Sequence, residues 1–316
     1  MEPGTTLTIS RNEFNKAAVL LYKMQQNKKA LSAAIGANFI FGSNYAVVKY
    51  ITPSMIHPFA LNLVRVMVSI VLFWFMLLYK PSNKKIDRKD IPRFILCALT
   101  GVVINQIFFI KGLSLTTAIH SSLLSLGTPI FISIIAFWML KESFSLIKAA
   151  GLALGISGAA ILVLSKDHGV SGSNVLLGDL LVLINAISYA FYLVLVRPLM
   201  LKYSGIQVLL LIFLIGILGI LPLGLNPLLE TNWAAFEPGH FLALSFVAVG
   251  ATFLAYTLNL YSISTIGPSA TGAFIYTQPV FAAIIATAFA GEHFTLTKAF
   301  SALLIFAGVY LANFKK

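Results

Sequence analysis

The sequence is poor in charge, in cysteine and in acidic residues. Charged side chains make up 10% of its 316 residues, against about 25% in an ordinary soluble domain. So small a polar complement cannot solvate a globule of this size. With 59% of the residues hydrophobic, an apolar medium must surround much of the surface. The single cysteine, Cys97, excludes an intrachain disulfide and a thiolate metal cluster, and its apolar setting reads as a small core residue. The chain has no G-x-x-x-x-G-K-[ST] phosphate loop. It also has no G-x-S-x-G, no H-E-x-x-H and no paired Cys/His spacing. No metal and no cofactor are expected.

What the sequence does contain is long apolar runs. Stretches of about 20 residues, the length that crosses a bilayer as a helix, recur from residue 30 to the C-terminus. They are continuously apolar and do not alternate, which excludes a membrane barrel and leaves helices that satisfy their own backbone. The expected spans are 30–51, 58–80, 91–112, 117–140, 146–165, 176–197, 205–225, 239–262, 267–290 and 295–314, an all-α membrane protein of ten transmembrane helices. Prolines punctuate them. Pro53 and Pro58 bracket the first loop, Pro81 and Pro198 follow the second and sixth spans, and Pro238 and Pro268 open later ones. Proline suits a helix start because its missing N–H would be unpaired there anyway.

The net charge of +12 invites a nucleic-acid reading, but its distribution argues for a membrane. Arg11, Lys16, Lys23, Lys28 and Lys29 lie in residues 1–29, read as a cytoplasmic tail, partly ordered. Lys80, Lys84, Lys85, Arg88, Lys89 and Arg93 crowd the loop after the second span. Lys141, Lys148, Arg197, Lys202, Lys315 and Lys316 fall on the same side. The other side holds Lys49, Lys111, Lys166 and Lys298. Basic residues favour the inner face, so both termini are expected in the cytoplasm of a multi-pass protein of the cell (inner) membrane. Nucleic acid is not an expected partner; lipid and a small molecule are. Oligomeric state is not legible.

The chain also repeats itself. Residues 111–164 align with 261–314 at an offset of 150 without a gap, matching Pro129 to Pro279, Phe131 to Phe281, Glu142 to Glu292, Phe144 to Phe294, Lys148 to Lys298 and Gly158 to Gly308. A fainter match at an offset of 148 pairs FGSNYAVVK (41–49) with YAFYLVLVR (189–197). The first repeat covers 30–165 and the second 176–314. Five spans in each half is an odd number, so the second half is inverted relative to the first, an arrangement frequent in secondary transporters.

A proline mid-span, a Glu past the span end and a Gly-rich helix occur twice, as Pro129, Glu142, Gly151, Gly155 and Gly158, and as Pro279, Glu292 and Gly308. With FGSNYAVVK in the first span and Arg65 in the second, this pattern resembles EamA-type members of the drug/metabolite transporter superfamily. The resemblance covers nearly everything after residue 30. It departs at Phe41 and Tyr189, where family members often carry Trp. It implies ten helices around a central substrate cavity between the repeats, in proteins that move amino acids, other metabolites or drugs. The expected function is a secondary transporter, an amino-acid exporter in the preferred version, working by alternating access. The alternatives are a non-transporting scaffold or sensor, and an intramembrane enzyme, which would need a nucleophile, an acid–base pair or a metal at depth.

Polar residues within spans are costly and therefore mark candidate sites. Arg65 lies about 10 Å below one end of the second span at 1.5 Å per residue. It reads as a counter-charge for a carboxylate, or as a structural Arg that binds carbonyls and reaches for the interface. Ser121, Ser125 and Thr128 form one face of the fourth span, and Thr271, Ile275 and Gln278 match them, with Tyr276 nearby. Thr252, Tyr256 and Asn259 share a face of the eighth span, where Tyr256 aligns with Gln106. Asn185, Ser188, Tyr189 and Tyr192 form a similar stripe, and Asn38 and Asn44 add amides. The candidate substrate-binding residues are Arg65, Gln106, Tyr256, Tyr276, Asn44, His120, Tyr192, Asn259 and Gln278. His120 could titrate, or sit in water at the outer end of its span. Pro129 and Pro279 are expected to weaken their helices at mid-depth and free one carbonyl each. Asp179, Glu142 and Glu292 read as span-end residues, so no carboxylate is expected at depth, and the two glutamates are expected to pair with Lys148 and Lys298 or to cap helices.

Overall fold

The structure, a computed structural model, describes residues 11–82, 84–140, 146–164, 173–266, 271, 274–289 and 295–313. Every regular element among them is helical. Six helices are long and apolar enough to cross a membrane: Gln25–Ile51, Pro58–Tyr79, Arg88–Leu115, Val175–Lys202, Gly205–Leu229 and Pro238–Ile266. They are the first three spans of each predicted half. Their outer faces carry Trp74, Phe75, Leu218 and Leu242, all half or more exposed, a surface that only lipid can cover at this scale.

The first helix, α1 (Arg11–Ile51), is longer than expected, because residues 11–29, read as a tail, continue it as helix. In α2 (Pro58–Tyr79) the ring of His57 accepts the Phe59 N–H and Pro58 opens the first turn. The Arg88–Leu115 run is built from α3 (Ile91–Ala98), a π-helical stretch at Leu99–Val103, and α4 (Ile104–Leu115). The span expected at 117–140 is two helices, α5 (Ala118–Ser125) and α6 (Thr128–Leu140), separated at Leu126 and Gly127. Next come α7 (Leu146–Leu164), α8 (Val175–Lys202) and α9 (Gly205–Leu229). The Pro238–Ile266 run repeats the α3–α4 design, with α10 (Pro238–Ser245), a π-helical stretch at Phe246–Leu254, and α11 (Ala255–Ile266). A short 3-10 turn, Phe274–Thr277, leads into α12 (Gln278–Phe289), and α13 (Leu296–Asn313) follows.

Three proline expectations change. Pro129 and Pro279 are each the second residue of a new helix. The break therefore precedes them, and the ring sits in a first turn where no hydrogen bond is lost. Pro198 does not follow α8 but lies inside it. The expected pairing or capping by Glu142 and Glu292 lies outside the described residues.

Packing follows the repeat. α4 packs on α8 as α11 packs on α1, and α6 packs on α8 as α12 packs on α1. Two further pairs, α2 with α9 and α7 with α13, join equivalents directly. At the second of these, a Cβ at Gly158 would lie 2.9 Å from the Ser301 carbonyl oxygen, and a Cβ at Gly308 2.6 Å from that of Gly151. Gly308 is the repeat mate of Gly158 and Ser301 that of Gly151. The contact is thus self-reciprocal, the mark of a two-fold relation. Partner numbers fall in α13 as they rise in α7, so these equivalent helices run antiparallel. α2 and α9 do the same, with Phe73 meeting Phe213 at 5.4 Å and Leu63 meeting Gly224.

Candidate functional site

Arg65 projects from α2 and is 4% exposed. Its Nε–H donates to Thr252 Oγ1 at 2.8 Å, and that hydroxyl donates to the Val247 carbonyl at 2.8 Å. The acceptor carbonyl is five residues back because Thr252 sits in the π-helical stretch, whose wider turn presents this side chain to α2. Arg65 therefore neither snorkels to an interface nor binds a helix end. Its Nη1 is buried and has no hydrogen-bond partner. One turn earlier on the same face, fully buried Asn62 has both amide atoms unpartnered.

Gln106 on α4 is buried with both amide atoms unpartnered, and Asn44 Oδ1 on α1 is in the same position. Tyr256 on α11 stands within electrostatic reach of Arg65 and beside Gln106. Its ring meets Phe41 edge-on at 5.8 Å and Phe213 at 5.7 Å. Arg65, Gln106 and Tyr256, predicted on three helices, thus meet at one place, joined by Thr252, with Asn62 one turn before Arg65. Buried polar atoms are almost always hydrogen-bonded, and each orphan costs about 1–3 kcal/mol. The unpartnered Nη1 of Arg65, with Asn62 one turn away on the same helix face, makes this a candidate place for a polar guest.

The other predicted residues fall into separate groups. Tyr192 is buried and stacks on Tyr189 at 5.8 Å, and Tyr189 lies beside Asn259 and within reach of Tyr256. This aromatic pair borders the Arg65 centre. Gln278 donates to Asn38 Oδ1 at 2.7 Å and accepts from the Tyr45 hydroxyl at 3.4 Å, and that hydroxyl also donates to Ser125 Oγ at 2.9 Å. This chain ties α1, α5 and α12 together. Tyr276 packs against Phe306 of α13 at 6.0 Å, away from the contacts that define the Arg65 centre.

His120 is not bathed in water: it is fully buried, on α5. Its Nδ1 lies 3.0 Å from Asp179 Oδ2. Asp179 is likewise fully buried and accepts a hydrogen bond from the Thr116 hydroxyl. Asp179 therefore sits at a span end, as expected, but it is buried against α4 and α5. α8 begins at Val175, which sets Asp179 one turn inside, and Gly178 lets α4 close over it. Lys49 donates to the Thr116 carbonyl at 2.6 Å and to the Ser114 carbonyl at 3.3 Å. No cluster of three or more His, Cys, Asp or Glu that could hold a metal occurs among the described residues.

Two surface grooves lie elsewhere on the protein. One of about 420 Å³ is lined by Val64, Met67, Val68, Leu228, Leu229 and Trp233. The other, of about 600 Å³, lies between α1 and α11 and is lined by Gln25, Lys28, Lys29, Ser32, Ala33, Leu258 and Tyr261. Neither is lined by the Arg65 cluster.

An all-helical bundle with a lipid-exposed apolar face and a polar centre shared by both repeats is that of a multi-pass membrane transport protein. The chain belongs to the EamA-like transporter family, whose sequence model matches it twice, over residues 28–164 and 176–314. It is 26% identical over 245 residues to an uncharacterized transporter of Archaeoglobus fulgidus, covering 77% of this chain and 82% of that one. It is 23% identical over 302 residues to the uncharacterized transporter YetK of Bacillus subtilis, covering 95% and 91%. A probable terminal-alkyne amino-acid exporter of Streptantibioticus cattleyicolor is 24% identical over 225 residues, covering 71% and 74%. A solved structure shares the fold at a TM-score of 0.60 and 17% identity, covering 89% of this chain and 96% of that one.

Proposed function

We propose that this transporter exports a small metabolite bearing a carboxylate, an amino acid in the preferred version, by alternating access about the Arg65 centre, with both termini in the cytoplasm. The observation that carries the reading is the Arg65 guanidinium. It is buried, bonded through Nε alone with Nη1 unpartnered, and within electrostatic reach of Tyr256, which lies beside Gln106. A carboxylate satisfies Nη1 with a charge-assisted hydrogen bond, the Gln106 amide orients the rest of the molecule, and Phe41 and Tyr256 bound it laterally. The antiparallel equivalent helices support an inverted repeat, which lets the two halves exchange shapes around one site. The similarity to an amino-acid exporter favours that substrate class.

The test is a thermal-shift screen of purified protein against amino acids, other carboxylates and uncharged metabolites. A ligand present at about 100 times its Kd stabilises the fold by about 2.7 kcal/mol. The expected outcome is a shift with one or more amino acids that Arg65→Gln removes. A shift confined to ligands without a carboxylate, or one retained in Arg65→Gln, contradicts the reading.

A further inference from the structure

We infer that His120 and Asp179 form a proton site that controls opening of one end of the bundle, which makes the proton the coupling ion of the transport proposed above, a reading on which this inference rests. The pair joins the two repeats. His120 belongs to α5, Asp179 to α8, and Thr116, from the turn between α4 and α5, bonds the same carboxylate. Beside them the backbones of α4 and α8 touch: a Cβ at Gly178 would lie 2.8 Å from the Gly112 carbonyl oxygen, and one at Gly112 2.9 Å from that of Gly178. Water cannot reach Asp179 from this end unless α4 and α5 part from α8, and parting them breaks the His120–Asp179 contact.

One Asp179 oxygen accepts from Thr116, and we take the carboxylate as ionised, its other oxygen accepting from His120 Nδ1–H. That leaves His120 Nε2 as the open position. It is buried and has no partner. In the neutral imidazole it is a lone pair; protonated, it is a charged N–H donor with no acceptor in the shut arrangement. A buried orphan costs more when it carries charge, whereas water satisfies it once this end opens. Protonation also strengthens the contact to Asp179; on the proposed reading the charged orphan donor outweighs this gain, so that protonation favours the open end and deprotonation the shut one. Toward this end of the bundle, the charged and titratable groups on the elements packed around the pair are Tyr45, Lys49 and Tyr50 of α1, Lys111 of α4 and Lys298 of α13; those of α3, the rest of α1 and α8, Lys148 of α7 and Tyr310 of α13 lie farther along their helices. α6 and α12 carry none. Lys49, held on Thr116, balances the carboxylate while His120 is neutral. The repeat mates of His120 and Asp179 are Ala270 and Leu31, so the other end has no such pair and titration acts on one end alone.

The experiment is amide hydrogen exchange on the purified full chain without substrate, corrected for the intrinsic pH dependence of exchange. Wild type, His120→Gln and Asp179→Asn are compared at about pH 8 and about pH 5.5, which bracket histidine titration. Peptides over 111–126 and 174–186 report this end, and peptides over 25–40 report the other. Acidification should speed exchange in the first two by about fivefold or more, the lower range of a typical coupling, leave 25–40 unchanged, and have no effect in His120→Gln, whereas Asp179→Asn, which keeps the imidazole, should retain a response to acid. Flat exchange in wild type, slower exchange on acidification, an equal change in 25–40, or a response that survives in His120→Gln overturns the proton site. Because no substrate is present, that outcome leaves the carrier reading standing if ligands still bind. Absence of ligand binding rejects the carrier and not the pH response.

Discussion

The contact of α4 with α8 and the contact of α1 with α11 are the same construction made twice, yet they seal differently. At the first, Gly112 faces Gly178 and the backbones touch, with the His120–Asp179 pair locked behind them. At the second, the repeat mates are Ser262 and Ala30, each with a Cβ where the first contact has none, and a groove of about 600 Å³ runs between α1 and α11. Ser262 bonds across to Thr271 at 2.9 Å instead. The scaffold makes the two ends geometrically equivalent. The residues that the repeats do not share decide which end is shut, and a carrier needs that inequality to be reversible.

The comparison breaks most strongly at Asp179. Asp179→Leu strands the Thr116 hydroxyl and His120 Nδ1–H in a dry site, at about 1–3 kcal/mol for each orphan. Chemical or thermal unfolding should show a large loss, whereas Leu31→Ala at the matching position of the other end, where the side chain is 40% exposed, should change little. Next in size is a glycine pair. Gly178→Ala drives a methyl into the Gly112 carbonyl and should cost about 1–3 kcal/mol by overpacking. Gly36→Ala in α1, where the nearest atom is Leu258 Cδ1 at 3.7 Å, makes an ordinary van der Waals contact and should stabilise by up to about 1 kcal/mol through helix propensity. Equal effects from the two substitutions would show that the ends are packed alike.

The smallest effect is expected at the loops. Lys202 bridges Asp87 at 3.2 Å and Asp90 at 2.6 Å, and the Tyr203 hydroxyl donates to Asp90 at 2.6 Å. The Lys89 backbone N–H, then the Lys202 ammonium, hold the Asp87 carboxyl below its ordinary 3.8. A depressed carboxylate stabilises the fold above its unfolded value, and the contribution disappears as pH falls through the folded one. Lys202→Gln should therefore lower the melting temperature slightly at neutral pH and by progressively less as pH falls below 3.8, since exposed ion pairs contribute little.

The six long helices and the repeat were legible because apolar length and a gap-free offset are direct signals of bilayer crossing and duplication. Arg65, Gln106 and Tyr256 were legible as polar residues at depth, and their meeting required the fold. Asn62 was missed although it lies three residues before Arg65, a spacing that puts it on the same face. The π-helical stretches were not legible, because the change from i→i+4 to i→i+5 bonding leaves hydrophobic periodicity nearly unaltered. Yet they aim Thr252 at Arg65. The break at Leu126 and Gly127 was masked by continuous apolarity and misassigned to Pro129. The His120–Asp179 pair joins residues 59 apart, and no spacing rule reaches that far. The Gly178-Asp179 dipeptide, a residue without a side chain beside a carboxylate, was the available signal.

The central claim, that one site bounded by Arg65 faces each side in turn, is tested most directly by counterflow in proteoliposomes, using an amino acid selected by the thermal-shift screen. Vesicles preloaded with unlabelled substrate should accumulate external label transiently above its equilibrium level when they contain wild-type protein, and should show no overshoot with Arg65→Gln. Label that enters wild-type vesicles at the same rate and to the same level whether or not they are preloaded would contradict alternating access.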